Sequence, residues 1–336
     1  MADGISVPSA IAKQLQPNAL IPLETALGQL SKWTSNLPPR SKFYSNQRVT
    51  VHDGPTLRRS RAKVESVVTA DVLFDIHSLF AAQCLLKSWR SAQLADGLAA
   101  ALGSWNLTVA AAVVRSLVET ASAWAIESRE VAAVWRKLKC TSVRSVEDAM
   151  RVRGELYQAT KQLAWGTRLS RTVRASEKFK RTNILTLIQK AEKQCPRPKL
   201  LEDYEILCDA VHPSWGAGEC FWSESGLAAD IRQMRVLIGT DAVGWLGGTD
   251  QAIKAGSPLS EILVACGAWA IRALADDLPS FNQVCRDLCL TARVYLLSNL
   301  DYWGIVQPTS TYAECACGSG RKTRFCSHEF GQEDAS

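Results

Sequence analysis

The sequence predicts an all-α body followed by a small C-terminal zinc knuckle. Three observations carry that expectation. Apolar residues recur at three-to-four spacing over most of the chain from Val64 onward, no stretch sustains the alternation that builds a sheet, and a thiol cluster with one imidazole lies near the C-terminus. The expected organisation is a Pro-rich basic arm with one short helix over 1–63, a helical body over 64–305, and a linker with the zinc module over 306–336.

The first sixty residues are rich in breakers, with Pro8, Pro17, Pro22, Pro38, Pro39 and Pro55. Within them Leu23, Ala26, Leu27, Leu30 and Trp33 share one face, which predicts a short amphipathic helix over Leu23–Trp33. An extended arm carrying Arg40, Lys42, Arg48, Arg58, Arg59, Arg61 and Lys63 follows. From Val64 the pattern turns helical: Leu73, Ile76, His77, Phe80 and Cys84 form a single stripe, and a histidine on such a stripe reads as a hydrogen-bonded core residue.

The next helix is expected from Leu107 to Ser128, very apolar, with Arg115 and Glu119 one turn apart on one face. Charge on so apolar a stripe is costly to bury alone, so the two should pair with each other or across a pocket. Further helices are expected at about 129–139, 144–166, 181–193 and 199–212, with Pro196 and Pro198 separating the last two. Pro213 disfavours helical geometry at His212 and so places that histidine at a helix terminus. Two last helices, Leu259–Ala275 and Phe281–Asn299, are expected on either side of Pro279.

Composition bounds the class. The chain has 336 residues, 47% hydrophobic and 21% charged, enough apolar material for a large core. Its 11 cysteines are an odd number, and eight of them, including Cys84, Cys208, Cys266, Cys285 and Cys289, are scattered through the body. A disulfide framework would look different, which points to a reducing cytoplasm, and the N-terminus lacks the pattern of a signal peptide. The apolar stretches around 98–126 and 259–275 are interrupted by Arg115, Glu119, Glu261 and Arg272, so they read as buried helices rather than membrane spans. The net charge of +6 is unevenly spread, with cations from Arg136 to Lys190, Arg151 and Arg153 among them, far outnumbering carboxylates. In that segment Arg168, Arg171, Arg174, Lys178, Lys180 and Arg181 are the candidate contacts to phosphate or to an acidic partner.

The zinc expectation rests on Cys315-Ala-Cys317-Gly318-Ser319-Gly320-Arg321-Lys322-Thr323-Arg324-Phe325-Cys326-Ser327-His328. Thiolate and imidazole donors suit zinc, the glycines permit the tight bends of a knuckle, and closure by four protein ligands makes the ion structural. The ligand set is Cys315, Cys317, Cys326 and His328, with Arg321, Lys322 and Arg324 adding a cationic surface.

The string resembles the SEC-C motif, the small zinc module at the C-terminus of the bacterial preprotein translocase ATPase SecA and of many unrelated chains. Cys315, Cys317, Gly318, Ser319, Gly320, Lys322 and Cys326 match that pattern, whereas Ser327 stands at the fourth ligand's position and His328 follows it. The resemblance covers about the last twenty residues and implies an interaction module.

In the body, Arg115, Glu119, Tyr204 and His212 are the polar residues that assemble into a candidate site. As a catalytic set, His212 would act as general base or acid, Glu119 would orient it, and Arg115 would hold a phosphate. As a structural set it is a buried ion pair with a capping histidine. The run from Tyr204 to His212-Pro213-Ser214, with Arg115 and Glu119 on an earlier helix, resembles uncharacterised bacterial all-helical proteins and, more distantly, HEPN-type ribonucleases. The compact Arg–His pairing that HEPN nucleases carry on one helix is absent. So are GxxxxGKS/T, strand-linked GxGxxG, GxSxG and HExxH.

Three functions follow as expectations. The first is a cytoplasmic interaction protein whose zinc knuckle docks a protein or nucleic-acid partner. The second is a nucleic-acid-acting enzyme, of phage-defence ribonuclease or toxin type, built on Arg115, Glu119 and His212. The third is a structural subunit whose tryptophans form an interface.

Overall fold

The computed structural model describes residues 18, 20–35, 37, 64–139, 145–165, 182–194, 199–212, 222–223, 237–238 and 259–291. Among the described residues there are seven helices: α1 (Ile21–Thr34), α2 (Val64–Gly103), α3 (Leu107–Lys139), α4 (Val146–Trp165), α5 (Ile184–Gln194), α6 (Leu200–Val211) and α7 (Leu259–Thr291). The extended structure among them is a two-residue antiparallel pair, Trp222–Ser223 against Leu237–Ile238. The body is all-α.

Local chemistry explains several helix limits. Pro22 occupies the first turn of α1, where its missing N–H costs nothing, and Leu23, Ala26 and Leu30 supply the buried face. Between α2 and α3 the chain turns through Trp105 at φ 54°, the Asn106 N–H donates to the Ala101 carbonyl, and Asn106 Oδ1 caps α3 by accepting the Val109 N–H at 3.1 Å. Ser145 Oγ and Asn183 Oδ1 do the same for α4 and α5. A longer reach serves α6, whose Leu201 N–H donates to Glu192 of α5 at 3.2 Å.

Two expected breaks are absent. The stretches expected as separate helices over Leu107–Ser128 and 129–139 form one helix, α3, because nothing between Ser128 and Arg129 interrupts its apolar face: Ala121 through Ala125 and then Val131, Trp135 and Leu138 are buried. Pro279 lies inside α7 and does not separate two helices. Its ring removes one donor, yet the buried Leu274, Leu278, Phe281 and Cys285 hold the helix on both sides of it. The stripe of Leu73, Ile76, His77, Phe80 and Cys84 is buried throughout.

The described residues fall into two compact units, and the division passes through α2, α3 and α7. The first unit holds α1, α2 from Trp89, α3 to Ile126, α5, α6 and α7 to Asp276. Its tightest approach is at Gly267, where a Cβ would lie 2.7 Å from Leu98 Cδ2, 3.6 Å from Leu23 Cδ1 and 3.7 Å from Val114 Cγ2. Three helices therefore close on one glycine of a fourth.

The second unit holds the N-terminal part of α2 to Ser88, α3 from Glu127, α4, and α7 from Asp277. Phe80 and Phe281 pack with ring centroids 5.5 Å apart, and the Cys84 thiol faces the Leu278 carbonyl at 3.8 Å. Polar ties surround that core. Arg153 Nε donates to both oxygens of Asp75 at 3.1 and 3.0 Å, Trp135 Nε1 donates to Asp287 at 2.8 Å, and Arg129 pairs with Asp277 at 3.2 Å. The Asp75 hydrogen bonds, acting against burial, raise the Arg153 guanidinium above its ordinary value.

Within α2 and α3, Thr69–Gly103 and Leu107–Leu138 are long and apolar enough to cross a membrane by length and composition alone, and 61% of each apolar window is buried inside the fold. That burial is what a core helix shows.

Two stability outcomes follow. Gly267→Val forces a branched side chain against Leu98, Leu23 and Val114 and should destabilise the chain by about 3 kcal/mol in urea unfolding. Gly267→Ala should stay within about 1 kcal/mol, since gained helix propensity offsets the displaced tip of Leu98. His77 is fully buried, and desolvation lowers its pKa from 6.5 to about 4. The unfolded chain thus binds the extra proton between those values, so stability is complete above pH 6.5 and falls as pH drops through that window. Between pH 7 and pH 5 this group should cost about 2 kcal/mol, and a folded His77→Gln variant should lose that much less over the same interval.

Candidate functional site

The first unit carries the polar cluster expected from the sequence. Arg115 and Glu119 occupy successive turns of α3 among the buried Val114, Leu117 and Val118. Arg115 Nε donates to Glu119 Oε1 at 3.2 Å, and the Tyr204 hydroxyl of α6 donates to the same oxygen at 2.7 Å. The Arg115 guanidinium carbon lies 6.0 Å from the centroid of the Tyr204 ring. One carboxylate oxygen thus joins two helices and fixes the guanidinium.

The electrostatics follow from this geometry. Burial opposes charge on Arg115, but the Tyr204 hydroxyl, Cys208 and Glu119 outweigh it and raise the guanidinium above its ordinary value. Burial first, and the Glu119 carboxylate second, push the Tyr204 phenol up, so it remains a protonated donor. The cluster is open on one side, with 28% of the Arg115 side chain and 35% of the Glu119 side chain exposed, whereas Tyr204 is buried.

Cys208 belongs to this cluster although the sequence reading counted it only among the scattered thiols. It lies one turn after Tyr204 and one turn before His212 on α6, and it adds to the electrostatics of both Tyr204 and Arg115. The i, i+4, i+8 spacing of Tyr204, Cys208 and His212 is the signal that would have found it. His212 is exposed at the C-cap of α6, its backbone at φ −76° and ψ 151°, with its N–H donating to the Cys208 carbonyl at 3.0 Å. It stands about 12 Å along the helix axis from Tyr204. On the other side of Tyr204, Asp203 accepts the buried Cys266 thiol at 3.6 Å.

The cationic middle of the chain is partly neutralised. Arg153 is committed to Asp75, and Arg151 sits between Asp148 at 3.7 Å and Glu155 at 3.6 Å. Trp105, Trp124 and Trp135 are buried and contribute to packing instead of an outward surface.

The expected zinc ligands Cys315, Cys317, Cys326 and His328 lie outside the described residues, as do the cations Arg168, Arg171, Arg174, Lys178, Lys180, Arg181, Arg321, Lys322 and Arg324. Among the described residues, no group of three or more His, Cys, Asp or Glu side chains is placed to hold a metal ion. Cys84, Cys208, Cys266, Cys285 and Cys289 form no disulfide. Compared with known proteins, the chain matches no family model, no curated protein and no solved structure.

The arrangement can hold an anion. A guanidinium offers five N–H donors, and Glu119 takes the one on Nε. A double-mutant cycle measures how firmly the cluster is built. Tyr204→Phe should cost about 2 kcal/mol because its hydroxyl serves a charged acceptor in a buried position. In a Glu119→Gln background the same change should cost about 1 kcal/mol less, read from urea unfolding of all four chains.

Proposed function

We propose that the chain is a cytoplasmic zinc-binding interaction protein, in which the helical body carries a C-terminal knuckle that docks an anionic partner, protein or nucleic acid. The supporting observation is the spacing of Cys315, Cys317, Cys326 and His328 around Gly318-Ser319-Gly320, with Arg321, Lys322 and Arg324 between the second and third thiols. Three thiolates and one imidazole suit zinc in chemistry and number, and a bound ion with four protein ligands cross-links a segment too short to bury a core of its own. The cations inside that segment then supply the docking surface, joined by Arg168, Arg171, Arg174, Lys178, Lys180 and Arg181 of the body.

A second reading, a nucleic-acid-acting enzyme using Arg115, Glu119 and His212, is favoured by one observation. Two helices bring Arg115, Glu119 and Tyr204 together in a half-exposed place. In that reading Arg115 holds a backbone phosphate and His212 moves the proton. Against it stands the economy of the cluster, whose Glu119 oxygen is already shared by two donors.

Metal content by mass spectrometry tests the first reading. Protein purified without added zinc should carry about one zinc per chain, and Cys315→Ser with Cys326→Ser should abolish it. Nucleic acid bound through the cations should be shed between about 50 and 200 mM salt. A wild-type chain without zinc sinks the proposal. For the second reading, cleavage of single-stranded RNA should fall about 100-fold in His212→Ala, and cleavage unchanged by that substitution ends it.

A further inference from the structure

We draw no further inference here: the strongest candidate, the N-terminus of α7 with the buried Ser260 hydroxyl that has no hydrogen-bond partner, carries nothing, because Leu259 and Ser260 are both fully buried and nothing among the described residues shows a cavity by which a ligand would reach them.

Discussion

Glu119 Oε1 is the atom on which the arrangement of the first unit turns. A carboxylate and a guanidinium on an apolar helix lose water when the helix packs, and each must recover that loss from a partner. Arg115 recovers part of it within α3, and Tyr204 supplies the rest from α6. The pairing of α3 with α6 is thus specified by a polar bond as well as by apolar area. The second unit solves the same problem with Asp75, whose two oxygens accept from Arg153, and with Asp287, which accepts from the Trp135 indole.

Much of this was legible in the sequence where one element carries the whole signal. The three-to-four stripe of α2 needed only local periodicity, and so did the short α1. The pairing of Arg115 with Glu119 was also readable, since i and i+4 on one helix meet whatever the tertiary fold does. Tyr204 was named with them, but its bond to Glu119 spans 85 residues, a contact no local pattern can supply. Asp75 with Arg153 is out of reach for the same reason, since the sequence shows Arg153 only as one cation in a segment where cations outnumber carboxylates.

The misplaced breaks have a common physical cause. Pro279 predicts a boundary because its ring removes a donor and crowds the preceding turn, a penalty of about 3 kcal/mol in an isolated helix. Burial of Leu274, Leu278, Phe281 and Cys285 on one continuous face outweighs that penalty. Propensity speaks for the helix alone, whereas the length of α7 is decided by what it packs against. The zinc segment is the opposite case, for its spacing is informative and it lies outside the described residues.

Burial also sorts the thiols by chemistry. Cys84 and Cys285 are fully buried, and desolvation pushes the first up to about 12 and the second well above its ordinary value. Thiols so placed are protonated and shielded, and they behave as small apolar side chains. Cys208, one turn after Tyr204 on α6, is only partly buried. The composition that reads as eleven equivalent cysteines therefore divides, among the described residues, into buried packing groups and the partly exposed Cys208. What separates the α3–α6 cluster from the ion pairs of the second unit is that the carboxylate partner of Arg115 is shared with a phenol from another helix, whereas Arg153 spends its fork on Asp75 alone.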